Sequence, residues 1–381
     1  MPGQPITMRV QKHPVSAPHG SAIYELNSFH FGPAAEKRVY IQASLHADEV
    51  PGMLVAQFLR RRLTALEAAG KLRAEIVLVP AANPIGLSQA VHGAPFGRFD
   101  LRTGANFNRA FKHVAAELKQ TLEGELGDDA AANVRIIRRH ARAALAGWKP
   151  ADDAETLKKT LLELAIGADI VLDLHCDNEA VLHIYSGTPL AAAIAPLSAL
   201  MQSHATLLTT ASGGEPFDEA CSRLWWELAQ HFAERHPIPA ACVAATIELR
   251  GERDVSEQLA EADANAILRY LTLNGMLELE SADENPFPSP LCAATALEAV
   301  QPLLAPQAGV LLYRKALGER VEAGSVIAEL IDPVSGESSQ VRAGTAGVFF
   351  ARSAFRHVLR GMNIGKIAGR TAFREGQLLS L

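Results

Sequence analysis

The sequence predicts an α/β domain followed by a small all-β unit, and three observations carry that expectation. Short apolar runs that read as buried strands alternate with longer stretches whose apolar residues recur at helical spacing. A proline-rich stretch, Asn285–Pro290, reads as a linker. Beyond it, β-type runs are punctuated by glycines from Gly309 to Gly369, as tight turns between short strands require. The expected division is residues 1–285 for the α/β domain and 286–381 for the β domain.

The elements follow in order. Arg38–Leu45 reads as a strand that ends at His46. Pro51 and Gly52 open an amphipathic helix over Met53–Ala69, and Gly70 stops it. Glu75–Pro80 is a second apolar strand. Ala110–Trp148 is mostly helical with a break at Gly124–Asp129, and Ala154–Ile166 is a further helix. Gly167 then leads into a third buried strand, Asp169–Leu174. Ala241–Leu249 is a fourth, and Ala260–Leu277 is again helical. This alternation argues for a sheet covered on both faces, where functional residues gather at strand ends. His46, His175 and Glu248 all lie at or near such ends.

The totals narrow the function. The 381 residues suffice for two domains, and 48% hydrophobic with 20% charged residues is ordinary for a globular protein. A formal charge of −6 gives no basic footprint, so no nucleic-acid partner is expected. No apolar run is long enough to span a bilayer, and Met1–Pro18 lacks the apolar core of a signal peptide. Cys176, Cys221, Cys242 and Cys292 form no C-x-x-C pair, which fits reduced thiols. A cytoplasmic setting is expected.

The chemistry concentrates in two segments, His46-Ala47-Asp48-Glu49 and Asp173-Leu174-His175. His46, Glu49 and His175 supply two imidazoles and a carboxylate, the ligand set of an open catalytic zinc site. Three ligands leave a position for water, which becomes a nucleophile near neutral pH. Residues three apart in a turn leading into a helix can face the same way. Alone, H-x-x-E is weak, since an exposed histidine and a helix-start glutamate give the same pattern. Asp173 and His175, taken singly, read as a satisfied core pair. Asp173 lies on the same strand face as His175 and can orient a ligand imidazole.

Two further segments supply catalytic and binding groups. Glu248 is an acid within an apolar strand, and burial would raise its pKa, which suits a general base. Arg250, two residues on, is expected on the same face, to meet substrate or to pair with Glu248. Asn106-Phe107-Asn108-Arg109 follows Arg98 and Arg102. Arginine forks bind carboxylates, and a positioned arginine can stabilise an oxyanion. The plainer reading of this segment is a loop cap with a surface ion pair.

The set resembles the succinylglutamate desuccinylase and aspartoacylase family, within the wider zinc carboxypeptidase-like fold. The resemblance rests, in chain order, on His46-x-x-Glu49, Asn83-Pro84, Asn106–Arg109, Asp173–His175 and Glu248–Gly251, and it covers about Arg38 to Leu277. It implies a mixed sheet flanked by helices. It also implies one zinc per chain on His46, Glu49 and His175, with Glu248 as the base that later protonates the leaving amine. Asn108 and Arg109 match the pair that grips a substrate carboxylate. The family places an arginine upstream to polarise the scissile carbonyl, for which Arg98 is the candidate and Arg102 its rival. The implied reaction is hydrolysis of a small N-acyl amino acid.

The tail, Ala305–Gly369, is similar to a biotinyl/lipoyl-type barrel-sandwich. Its turn Asp332–Glu337 lacks the lysine that a carrier needs, so a scaffold is expected. Two alternatives share these residues: a zinc carboxypeptidase for short peptides or amide conjugates, and a non-catalytic relative. The second would be expected to have lost a ligand or the base. The sequence is compatible with a homo-oligomer and leaves the acyl group open.

Overall fold

A computed structural model describes residues 8–16, 23–279 and 287–378. The expected 285/286 boundary, part of the linker and part of Met1–Pro18 therefore fall outside the described residues. Within them, Arg9–Pro14 is a strand.

A nine-stranded mixed sheet forms the larger unit. Its strands are β1 (Arg9–Pro14), β2 (Glu25–Phe31), β3 (Arg38–Ala43), β4 (Glu75–Val79), β5 (Ile170–Asp177), β6 (His183–Gly187), β7 (Ala205–Thr209), β8 (Val243–Gly251) and β9 (Ala294–Ala296). They lie in the order β1-β2-β4-β3-β5-β8-β6-β7-β9. The central strands β4, β3, β5 and β8 run parallel, and β6 returns antiparallel to β8. Strand β9 adds a parallel edge beside β7, so the chain rejoins this sheet beyond residue 286 before it enters the β unit.

The longer helices are α1 (Pro51–Ala68), α2 (Ala115–Thr121), α3 (Ala130–Ala146), α4 (Asp153–Ala165), α5 (Ala191–Leu200), α6 (Phe217–His231) and α7 (Glu257–Leu273), and they cover both faces of the sheet. Alternation along β3 shows how. Val39 and Ile41 point to one core, with Val55 and Leu59 of α1 and Ile267 of α7. Tyr40 points to the other, with Ile137 of α3, Leu161 of α4 and Trp225 of α6. Strands buried on both faces read as unbroken apolar runs, and this made β3, β4, β5 and β8 legible.

The C-terminal unit carries two further antiparallel sheets over its own apolar core, which includes Leu311, Ile327, Phe349 and Ile367. One is built from β10 (Val300–Leu304), β12 (Arg320–Val321), β15 (Gly347–Arg352) and β17 (Asn363–Ala368). The other contains β11 (Gly309–Tyr313), β13 (Val326–Ile331), β14 (Ser338–Arg342) and β16 (His357–Val358). This unit docks on the segment that follows β5. Glu179–Ala180 pairs with Ala351–Arg352 of β15, and Arg352 and Arg356 both bind the Glu179 carboxylate, at 2.6 and 2.7 Å.

His183 of β6 is fully buried against Phe350 at this junction. Burial drives its pKa down from 6.5 to about 4, although Asp177 and the bond to the Val181 carbonyl act the other way. The unfolded chain takes up this proton below pH 6.5, and the folded chain resists until about pH 4. The contribution of His183 is therefore intact above pH 6.5 and lost as pH falls to about 4, up to roughly 3 kcal/mol. Denaturant midpoints at pH 7 and 4.5 are expected to fall less in His183→Gln than in the natural protein; equal slopes would contradict this account.

Candidate active site

Three neighbouring parallel strands deliver the site. Just past β3, Ser44 takes a left-handed conformation, φ 65°, and swings the chain so that His46 and Glu49 come to the strand end ahead of α1. Non-glycine residues rarely adopt that conformation without tertiary support, and such sites cluster near functional groups. His175 lies on β5, and Glu248 of β8 stands directly opposite it in register. Parallel pairing puts Asp173, His175 and Asp177 on the same face as Thr246 and Glu248, the face covered by α6.

His46, Glu49 and His175 converge, all buried, with their candidate ligand atoms within 4.8 Å of one another. The Glu49 carboxylate lies between the rings, 2.8 Å from His46 Nδ1 and 2.7 Å from His175 Nδ1, and it also accepts the Cys176 backbone N–H at 3.0 Å. The outer nitrogens are tied elsewhere. His46 Nε2 meets Asn106 Oδ1 at 2.9 Å, and His175 Nε2 meets Asp173 Oδ2 at 2.9 Å. Asp173 is itself held by Gln42 Nε2 at 2.9 Å, and the Gln42 amide oxygen accepts Tyr40 O–H at 2.8 Å. Both imidazoles are thus clamped from behind with one nitrogen facing a shared centre, as the outer partners of metal-binding histidines are arranged.

The electrostatics follow from this packing. Burial and the nearby Arg98 lower the His46 pKa. Burial acts to raise Glu49, but the two imidazoles overcome it and hold that carboxyl well below the usual range. Burial also opposes the His175 proton, yet Asp173 and Glu49 on either side hold its pKa well above 6.5. Glu248 goes the other way. Burial, then the like charges of Glu49 and Asp177, push it up to about 8. Its Oε2 is buried with no hydrogen-bond partner.

One cavity gathers these groups with Arg98, Asn108, Arg109, Asp218 and Lys366. Gly97 sits so close to the 46–49 turn that a Cβ there would lie 2.4 Å from the Asp48 nitrogen. That approach brings Arg98 Nη1 to 3.2 Å from Glu49 Oε1. Arg102 lies on an exposed loop outside the cavity. Asn108 faces His175 Nε2 at 3.5 Å and accepts the Phe217 backbone N–H at 2.9 Å, which ties it to the start of α6.

Arg250 corrects the sequence expectation. A bulge in β8 between Glu248 and Gly251, with Arg250 at φ 69°, breaks the alternation that would have kept it beside Glu248. Its guanidinium instead binds Asp263 of α7, away from the cavity.

Sequence reasoning also missed three groups. Asn106 orients His46 across 60 residues of chain. Asp218 enters from α6, and burial with its neighbour Glu219 raises its pKa to about 7. Lys366 reaches in from β17 of the C-terminal unit and binds Asp177 at 2.5 Å. Burial works against the Lys366 ammonium, but Asp177 and the Tyr185 hydroxyl hold its pKa above the ordinary value.

Among the described residues, no helix is long and apolar enough to cross a membrane. No curated protein matches the sequence. A solved family protein from Shewanella amazonensis has 26% identity and a TM-score of 0.81, over 94% of this chain and 98% of its own. A second, from Shewanella frigidimarina, has 25% identity and a TM-score of 0.80, over 95% and 97%. The ectoine utilization protein EutE (DoeB) from Ruegeria pomeroyi shares the fold at 15% identity, with a TM-score of 0.66 over 96% of both chains. The model of the succinylglutamate desuccinylase/aspartoacylase catalytic domain matches residues 35–274, a span that contains His46, Glu49, His175 and Glu248. The chain belongs to the succinylglutamate desuccinylase/aspartoacylase family, whose members are hydrolases.

Proposed function

We propose that this chain is a zinc-dependent amidohydrolase that cleaves a small N-acyl amino acid to a carboxylate and a free amine. The observation that carries the reading is the meeting of His46, Glu49 and His175 beside Glu248 in one cavity. The donor set suits the ion: two imidazole nitrogens and one carboxylate oxygen, with both rings oriented from behind, are ligands that zinc accepts. Zinc, when bound, supplies Lewis acidity and lowers the pKa of water.

The chain's own groups do the rest. Glu248, with an unpartnered oxygen facing the cavity, accepts a proton from the attacking water and returns it to the leaving nitrogen. Arg98, at the Glu49 end of the cavity, faces the oxygen on which negative charge develops. Asn108 and Arg109 hold a substrate carboxylate. Arg250, bound to Asp263, takes no part.

A carboxypeptidase needs an open cleft for a peptide. Here Leu297 and Lys366 wall the cavity from the C-terminal side, which favours a small substrate. On this reading residues 286–381 form a biotinyl/lipoyl-like scaffold without a prosthetic group. The β13–β14 turn ends in an exposed Val334 and has no lysine. Four unbridged cysteines, three of them buried, support a cytoplasmic setting. The test is a screen of N-acetyl and N-succinyl amino acids with metal-loaded protein, following amine release beside metal analysis. One zinc per chain and hydrolysis of at least one member are expected. Metal-free protein under replete conditions, or release only from longer peptides, would overturn the reading.

A further inference from the structure

Gly213, Gly214 and Glu215 lie in the loop between β7 and α6, and all three take the left-handed conformation, with φ 82°, 81° and 51°. Two residues of this loop, Ser212 and Pro216, line the catalytic cavity. The loop also backs the segment that carries Asn108 and Arg109. The Ala110 N–H donates to the Gly214 carbonyl at 2.7 Å, and the Phe111 N–H to the Glu215 carbonyl at 3.0 Å. At the far end of the loop, the Phe217 N–H donates to Asn108 Oδ1 at 2.9 Å. A Cβ on Gly214 would stand 2.9 Å from Arg109 Cδ, so the arginine stem lies directly against the loop backbone. Its Nη1 donates to the Asn108 carbonyl at 2.6 Å.

The other side of the loop is covered by the chain beyond β17. The Leu378 N–H donates to the Ser212 carbonyl at 2.7 Å, and a Cβ on Gly213 would come within 3.1 Å of Gln377 Cα. The glycine pair is therefore sandwiched, with the 377–378 backbone against one residue and Arg109 against the next. Helix α6 ties the loop through the Ser212 N–H to Glu219 at 2.7 Å and through Glu215 to Arg223 at 3.1 Å. Those ties fall on either side of the glycine pair, whose backbone is by nature the most permissive part of the loop. The covering segment is itself anchored. Leu378 is 2% exposed, while Glu375, Gly376 and Gln377 before it are exposed. It packs in an apolar cluster with Leu207 and Leu297, two residues of the cavity wall. Upstream, the Phe373 N–H donates to the Glu298 carbonyl at 2.7 Å. Residues 373–378 thus form a strap that is held at both ends and crosses the back of the loop.

We propose, resting on the N-acyl amino acid reading above, that Leu378 is a positioning residue: by seating this strap on the Gly213-Gly214 loop, it holds Arg109 in the geometry that grips the substrate carboxylate. Arginine binds a carboxylate through two parallel hydrogen bonds, so the grip depends on direction as well as distance. A misplacement of about 1 Å in such a site can cost up to about a hundredfold. Leu378 lies behind the loop and not among the reacting groups, so the effect falls on substrate binding, as a higher KM with kcat nearly kept.

The test uses Leu378→Asp, with Leu378→Ile as the conservative control. Gly213→Ala parts the strap from the loop in a second way and leaves Leu378 in place, so it carries the comparison if Leu378→Asp does not fold. KM and kcat are measured, beside metal content, on the substrate found in the screen and on its α-carboxamide, which offers Arg109 no carboxylate; the inhibition constant of the carboxamide replaces KM if its turnover is too slow. Leu378→Asp and Gly213→Ala are expected to raise KM for the acid on the order of tenfold, to keep kcat within about twofold, and to leave the carboxamide constant unchanged. Leu378→Ile is expected to match the natural protein. Amide hydrogen exchange gives an arm independent of turnover. Exchange in 108–112, on the far side of the loop from Leu378, is expected to be faster in both disruptive variants, with exchange in β5 unchanged. A KM rise shared equally by acid and carboxamide would make Leu378 a packing residue and overturn the proposal. Unaltered exchange in 108–112 would overturn it as well. If the natural protein hydrolyses no acyl amino acid, the parent reading falls, and exchange in 108–112 alone decides whether the strap holds the Arg109 segment.

Discussion

Glu248→Gln is expected to retain the metal and lose turnover, with kcat reduced by roughly a hundredfold to ten-thousandfold, the range that general base catalysis supplies. The substitution keeps the shape of the side chain. It removes only the ability to take and return a proton. Glu248 stands in register with His175 rather than among the ligand atoms, so His46, Glu49 and His175 keep their contacts. Stability is expected to hold or rise slightly, because burial and like charges already penalise the ionised form. The measurements are metal content, denaturant midpoint and single-turnover rate on the substrate found in the screen. Natural turnover with metal retained would remove Glu248 as the base. Loss of both metal and turnover would make it a ligand instead.

The parts of this site that were legible in the sequence share a physical reason. Strands β3, β5 and β8 are buried on both faces, so their apolar runs stand out and the polar residues at their ends are conspicuous. His46, His175 and Glu248 were found in that way. The alternation of strand faces also placed Asp173 behind His175, where it lies at 2.9 Å. The same rule misplaced Arg250, because a bulge is set by local backbone and partner registry and leaves no mark in the apolar pattern.

What was illegible depends on long-range closure. Lys366 meets Asp177 across 189 residues, and no spacing within either segment announces the pair. Asn108 and Arg109 were read as a substrate grip, but Asn106 in the same segment appeared only as part of a motif, since its contact with His46 needs the folded sheet. Strand β2 is not legible because two of its buried positions, between the apolar Leu26 and Phe31, are polar. Ser28 and His30 are buried in a relay that runs from His13 to Glu75, which hides the usual alternation of apolar and polar residues. Helix α6 leaves a similarly weak mark, although its Trp225 is 1% exposed in the core.

Glu49→Ala is expected to abolish metal binding and activity together and to destabilise the fold, which separates it from the Glu248 variant. The carboxylate of Glu49 is the common acceptor for His46, His175, Arg98 and the Cys176 N–H, so its removal leaves the two imidazoles without the anion between them and His175 with Asp173 alone. Ring centroids 5.0 Å apart leave little room for relaxation. Removing one partner of a buried pair costs about 3–5 kcal/mol, and the contact of Glu49 with two rings places this site in that range. A ligand that binds only the folded state also raises its stability, by about 2.7 kcal/mol at a hundredfold excess over Kd. Chelation should therefore lower the Tm of the natural protein and leave that of Glu49→Ala unmoved. Glu49→Asp, which keeps the charge on a shorter arm, should recover part of the stability but little of the metal affinity. A Tm for the natural protein that ignores both zinc and chelator would mean that the His46–Glu49–His175 cluster is a structural ion pair, and the hydrolase reading would fall with it.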